Sequence, residues 1–232
     1  MEFLLLFNER EGGPQPDEEG FARMAKYSDE LRRRGVLRRG APLAEASEGA
    51  IVRVRDGEVF ITDGPFPETK ELIAGFWIVD VADRAAALEI ARHCPHLGRG
   101  PIEIHAVGQR HSFPDSGRDT PYLFAFRVEP GLSDSDGSKL REMLAFTRAR
   151  AAEGSVFETA PLRSDPPAAH LALAAGTTVV KDGPFVETKD MIGGYSLVRA
   201  PGRAEAIDLA RRTPHATWGP IEVRRIPFFD PV

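Results

Sequence analysis

Asp63-Gly64-Pro65-Phe66-Pro67-Glu68-Thr69-Lys70-Glu71 occurs again as Asp182-Gly183-Pro184-Phe185-Val186-Glu187-Thr188-Lys189-Asp190. The offset is 119 residues in a chain of 232. A repeat at half the chain length means one folding unit written twice, which constrains the fold more than any single motif could. The same offset lays Phe3-Leu4-Leu5-Leu6-Phe7 over Tyr122-Leu123-Phe124-Ala125-Phe126, and Pro42-Leu43 over Pro161-Leu162. It also lays Pro95-His96 over Pro214-His215, and Gly100-Pro101-Ile102-Glu103 over Gly219-Pro220-Ile221-Glu222. Divergence between the copies is uneven: 9 of 41 positions are identical over 3–43, against 21 of 41 over 63–103. The second window carries a structural or chemical constraint that the first lacks.

Two units of roughly 110 residues are expected, each long enough for a modest core. The boundaries read as 1–108 and 121–232, with 109–120, rich in Gly, Ser, Pro, Asp and Arg, as a linker. A net charge of −5 gives no support to nucleic-acid binding. Cys94 is the only cysteine, so an internal disulfide is excluded and a reducing compartment is indicated. The apolar Met1–Phe7 is too short for a signal peptide and carries acidic Glu2, and no run approaches the ~20 apolar residues of a membrane span. These features predict a cytoplasmic protein.

Within one copy, residues 3–7 read as a buried strand. Asp17 is a helix N-cap followed by Glu18 and Glu19, Phe21, Met24, Ala25, Ser28 and Leu31 fall at helical spacing, and Gly35 ends the helix. In the second copy Asp136 is the predicted cap. Asp56-Gly57 between two β-type runs signals a hairpin, with Ala175-Gly176 as its counterpart. A β-rich run over 73–81, a helix capped by Asp83 that must end before Pro95, and a strand over 102–107 complete the unit. The fold class is α+β: two tandem ferredoxin-like βαββαβ units, each with an inserted hairpin. Phe76 and Ile78 alternate with Trp77 and Val79, so that strand is apolar on both sides. The neighbouring strand carries Glu103 and His105 on the face away from Ile102 and Ile104. Such a sheet packs against another sheet and encloses a partly polar space. The two copies are the natural partners, imitating a two-fold dimer with one pocket per copy.

The repeated nonapeptide, the following Gly193-Gly194-Tyr195 (Ala74-Gly75-Phe76 in the first copy) and the Pro-His before the last strand resemble the DGPF branch of the YCII-related domain family. The resemblance covers nearly the whole chain, once per copy. It implies ferredoxin-like domains that pair through their sheets as a dimeric α/β barrel, here within one polypeptide of bacterial origin. It further implies an uncharacterised protein with a small-molecule pocket. Some relatives resemble enzymes with a His–Asp pair, including a dehydrochlorinase of chlorinated hydroxyquinols. DGPF-type genes often lie beside extracytoplasmic-function sigma factors, which makes a ligand-sensing or regulatory partner of such a factor the alternative to an enzyme. This chain departs from the family's dyad: the matching positions hold Met24 and Met143 in the first helix, and Cys94 and Thr213 before the proline.

The candidate acid–base groups are therefore Lys70 and Lys189, His96 and His215, and Glu103 and Glu222, acting as a lyase, isomerase or hydrolase on a small polar or phenolic substrate. A motif lysine could bind an anionic or phenolate oxygen, or pair with a neighbouring glutamate. The histidines could titrate near neutral pH or cap helix carbonyls. The glutamates could be pocket bases or structural ion pairs with His105, Arg224 or a lysine. Asp63, Glu68, Thr69, Asp182, Glu187 and Thr188 are candidate binding residues. The alternative for Asp63 and Asp182 is a turn, and the whole motif could be a folding device. His93-Cys94-Pro95-His96 suggests a metal cluster, but the second copy reads Arg212-Thr213-Pro214-His215, so neither metal nor cofactor is expected.

Overall fold

The computed structural model describes residues 1–9, 17–66, 72–128, 136–183 and 191–229. The first copy contributes β1 (Glu2–Glu9), α1 (Glu18–Arg33), β2 (Leu37–Pro42), β3 (Ala50–Arg55), β4 (Glu58–Asp63), β5 (Leu72–Asp80), α2 (Arg84–His93) and β6 (Ile102–Ala106). After the short β7 (His111–Ser112), the second copy repeats the order. Its elements are β8 (Thr120–Val128), α3 (Ser138–Ala152), β9 (Val156–Pro161), β10 (Ala169–Ala174), β11 (Thr177–Asp182), β12 (Met191–Ala200), α4 (Arg203–Arg212) and β13 (Ile221–Arg225).

Local chemistry sets the boundaries. Asp17 accepts a hydrogen bond from Gly20 N at 2.7 Å, and Asp83 accepts one from Ala86 N at 2.9 Å, so both first-copy helices have side-chain caps. In the second copy Gly137, at φ +67°, is the N-cap of α3, one residue beyond the expected Asp136, whose carboxylate accepts from Ser138 N at 3.0 Å. Asp56 and Gly57 have φ of +52° and +81°, as a two-residue hairpin with the twist of its strands requires.

The sheets do not follow the boundary between copies. One runs β11-β10-β6-β1-β5-β2 and the other β4-β3-β13-β8-β12-β9-β7, every pair antiparallel. Each copy therefore lends its hairpin to the sheet of the other: β3 pairs with β13, and β10 pairs with β6. This is more intimate than two finished domains in contact. The segment between copies is also more ordered than its composition suggests. β7 joins the edge of the second sheet beside β9, Arg110 binds Glu2 and Glu158, and Asp115 holds Arg199.

Three cores result. Leu31, Ala87, Ile90 and Ala91 of α1 and α2 cover Phe3, Leu5, Trp77, Val79, Ile102 and Ile104, together with Ala169 and Leu171 of the borrowed hairpin. Ala206, Leu209 and Ala210 of α4 cover Phe124, Val198, Ile221 and Val223, with Ala50 and Val52 lent by the first copy. Between the sheets lies the third core, drawn from both copies: Leu4, Leu6, Phe76 and Ile78 against Leu123, Ala125, Tyr195 and Leu197. Both sides of β5 are thus buried, as its sequence demands: Trp77 and Val79 against helices, Phe76 and Ile78 against the facing sheet. The molecule is an intramolecular α/β barrel of two ferredoxin-like units.

The pseudo-two-fold axis passes between Arg39 and Glu158, which align with each other at the 119-residue offset. Arg39 Nε donates to Glu158 Oε2 at 2.7 Å. The fully buried Glu158 also receives Arg110 Nη1 at 3.1 Å and the Tyr195 hydroxyl at 2.9 Å. Burial, reinforced by this carboxylate, drives the Tyr195 phenol well above its ordinary pKa, so it stays a donor.

Candidate functional site

Lys70, Lys189, Glu68, Thr69, Glu187 and Thr188 lie outside the described residues. The other candidates fall into three groups, each duplicated by the axis.

Asp63 and Asp182 end the exchanged hairpins. Arg203, the first residue of α4, pairs with Asp63, and Arg84, the first residue of α2, pairs with Asp182. Each aspartate thus anchors its hairpin to a helix end of the opposite copy. Their side chains are 70% and 63% exposed, and neither faces the interior between the sheets.

His96 and His215 are buried in the short 3-10 turns after α2 and α4. His96 Nε2 donates to the Asn8 carbonyl at 3.0 Å, and His215 Nε2 to the Arg127 carbonyl at 2.8 Å. Their partners are thus strand carbonyls at the ends of β1 and β8. Burial lowers both imidazole pKa values, favouring the neutral donor. Gly100 and Gly219 complete the clasp. A Cβ at Gly100 would lie 2.0 Å from the Asn8 carbonyl oxygen, and one at Gly219 would lie 2.3 Å from that of Arg127. The repeated Pro-His and Gly-Pro pairs thus close the final strand onto the first.

Glu103 and Glu222 face inward. Glu103 lies opposite Leu6 and His105 opposite Leu4 on β1, and residues directly opposite share a face, here the one toward the second sheet. Across the other edge of β6, Glu103 faces His170 of the hairpin lent by the second copy. Asn8 Nδ2 donates to Glu103 Oε1 at 3.0 Å, and His105 Nε2 to Glu103 Oε2 at 2.9 Å. Burial pushes the Glu103 carboxyl up. The hydrogen bond and charge of His105, with His170 and Asn8, outweigh it and hold the group below the ordinary carboxylate range.

The equivalent place in the second copy has the same frame and different occupants. The offset converts Asn8 to Arg127, His105 to Arg224 and His170 to Ile51. Arg127 Nε and Nη2 reach Glu222 Oε2 at 3.1 and 2.5 Å, and Arg224 Nη1 reaches Oε1 at 3.1 Å. Arg224 also donates to the carbonyls of Ile73 at 2.7 Å and Ala44 at 2.6 Å. Burial raises the Glu222 pKa, and the charges of Arg127 and Arg224 overcome that and lower it. Glu222 is 1% exposed, Glu103 16%. One copy holds a sealed ion cluster. The other holds a carboxylate–imidazole pair supported by Asn8 and facing His170.

Asn8 and His170 were not sequence candidates, and His105 and Arg224 entered only as partners for the glutamates. The signal for them was the appearance of arginine at 127 and 224 of the second copy where the first has Asn8 and His105. A further asymmetry on the helical side follows from Trp77 aligning with Ser196. Trp77 packs with Phe7 and Tyr27, whereas a hollow with room for about one water lies beside Ser196, lined also by Met143, Thr147 and Thr213. Among the described residues, no group of three or more His, Cys, Asp or Glu side chains is disposed to hold a metal, and no helix is long and apolar enough to cross a membrane.

The fold and paired clusters define a duplicated ferredoxin-like protein in which two equivalent inward-facing glutamates share one barrel and have taken different neighbours. The chain belongs to the YCII-related domain family, whose model matches twice, over residues 1–109 and 122–230. An uncharacterised protein of Rhizobium meliloti (strain 1021) is 34% identical over 100 residues, covering 42% of this chain and 81% of the relative. Similar solved structures include an anthrone oxidase-like protein, with TM-score 0.39 and 8% identity, covering 99% of this chain and 92% of that one. Another is a candidate chlorite dismutase, with TM-score 0.42 and 8% identity, covering 98% of this chain and 94% of that one.

Proposed function

We propose that the protein is an acid–base enzyme for a small polar substrate, working at the first-copy site, and that the second-copy site is a structural ion cluster. The observation that carries this reading is the contrast between Glu103 and Glu222. Glu222 is saturated by two guanidinium groups. Glu103 is ionised beside an imidazole at 2.9 Å and keeps some access to solvent. A carboxylate that accepts from Nε2 keeps a proton on that nitrogen and leaves Nδ1 as the ring atom that can take or give one, the arrangement in which histidine moves protons. His105 is then the acid–base group, Glu103 its orienting carboxylate, and Asn8 the donor that fixes the carboxylate's plane. His170 brings a second imidazole from the other copy. Proton transfer of lyase, isomerase or hydrolase type is the chemistry such a set can perform.

The test is turnover of a panel of small hydroxy acids, amines and phenols by the wild type and three variants. Activity should fall about 10²- to 10⁴-fold in His105→Gln, as expected for loss of a general acid–base group, with the melting temperature nearly kept. It should persist in His96→Gln and His215→Gln if those variants fold. An activity indifferent to His105→Gln would place the chemistry elsewhere.

A further inference from the structure

We infer that the first-copy site, on the reading that it binds a small molecule at all, takes a ligand bearing a guanidinium or amidinium group. The second copy shows what the frame accommodates. There Arg224 presents one flat cation to three acceptors: Glu222 Oε1 at 3.1 Å, the Ile73 carbonyl at 2.7 Å and the Ala44 carbonyl at 2.6 Å. The aligned acceptors in the first copy are Glu103 and the carbonyls of Ile192 and Arg163.

The frame around them is duplicated closely. Ala44 N donates to Arg225 O at 2.9 Å, and its counterpart Arg163 N donates to Ala106 O at 2.8 Å. Ile73 lies opposite Asn8, as Ile192 lies opposite Arg127. The guanidinium has no such duplicate: the aligned side chain is His105, whose ring stops several bonds short of where an arginine fork reaches. Asn8, neutral, stands in place of Arg127. In the second copy Glu222 is met by two guanidinium groups, whereas Glu103 is met by an amide and an imidazole. A carboxylate offers about four lone-pair directions, and among the described residues Asn8 and His105 engage two of them. A planar donor fork matches a carboxylate and adjacent carbonyls better than a point-like ammonium does.

The probe is methylguanidinium chloride, the end of an arginine side chain, titrated at constant ionic strength into the full-length chain. Shifts of the His105 ring and Asn8 side-chain NMR signals are the readout, with sodium acetate as the anionic control. Saturable binding at these residues is expected for methylguanidinium and not for acetate. Glu103→Gln should weaken it about ten- to a hundredfold, the worth of a charge-assisted hydrogen bond. The double variant Asn8→Arg/His105→Arg brings the two arginines of the second site into the first, where His170 still stands in place of Ile51, and should abolish binding while remaining folded. No saturable shift in the wild type, or binding that survives both variants, overturns the inference. Failure of methylguanidinium to bind, while turnover still depends on His105, removes this inference and leaves the acid–base reading. Binding without any His105-dependent turnover does the reverse and leaves a cation-binding module.

Discussion

Replacing Glu222 with glutamine should destabilise the protein far more than the same change at Glu103, although the residues are equivalent by the repeat. Glu222 is 1% exposed and receives three hydrogen bonds from two guanidiniums that are themselves 12% and 2% exposed. An amide there removes the charge that Glu222 sets against two buried cations, which costs about 3–5 kcal/mol. Glu103 is 16% exposed, and its partners are an amide and an imidazole. The glutamine oxygen keeps one acceptor, so the loss is about one charge-assisted bond moderated by solvent, about 1–2 kcal/mol. For a chain of this size the melting temperature should drop by about 6–20 °C at position 222 and about 2–8 °C at position 103. Urea unfolding at pH 7, followed by far-UV dichroism, measures both. Acid provides a second readout. The folded pKa of Glu222 lies below its unfolded value, so its contribution is present above the unfolded pKa and is lost as pH falls through the folded one. Glu222→Gln should therefore flatten the acid limb of the stability profile. A glutamine at 222 that costs no more than one at 103 would refute the claim that the second site is a sealed ion cluster.

Three other outcomes follow from the geometry. Gly100→Ala and Gly219→Ala each force a Cβ onto a strand carbonyl and should cost about 1–3 kcal/mol or more by thermal denaturation; neutral effects would mean that the clasp yields. His96 and His215 have depressed folded pKa values. Their contribution is present above the unfolded value near 6.5 and lost as pH falls through the folded one, and replacing both with glutamine should reduce the pH dependence of stability below about 6.5. Asp63→Ala and Asp182→Ala should each change stability by only about 0–1 kcal/mol, because both carboxylates are largely exposed. A collapse of folding would show that the hairpin anchors matter more than surface ion pairs ordinarily do.

The repeat and the alternation of Phe76, Trp77, Ile78 and Val79 made the face-to-face barrel legible, because a strand apolar on both sides must be covered on both sides. The hairpin exchange was not legible. β3 and β10 have the same pattern whichever final strand they join, and nothing local distinguishes β6 from β13 as partner. The inward direction of Glu103 followed from strand periodicity, but its environment needed the register that sets it beside His105, Asn8 and His170. The histidines after the prolines illustrate a different limit. Their sequence context is compatible with an exposed base or a buried clasp, and only the approach of Gly100 and Gly219 to strand carbonyls distinguishes the two. The aspartates of the nonapeptide read as turn residues, yet their partners, Arg84 and Arg203, stand at helix starts in the other half.

The Arg39–Glu158 pair has a historical implication. Equivalent residues that touch across a two-fold axis would be identical in a dimer encoded by a single-copy gene, so arginine would meet arginine, or glutamate would meet glutamate, in a buried setting. Opposite charges can occupy that place only after duplication has freed each half to mutate alone. Each half expressed by itself should consequently resist pairing with its own kind, while a mixture of the two halves should reassemble. Separation into single-copy homodimers would then set like charges against each other at that point of the axis.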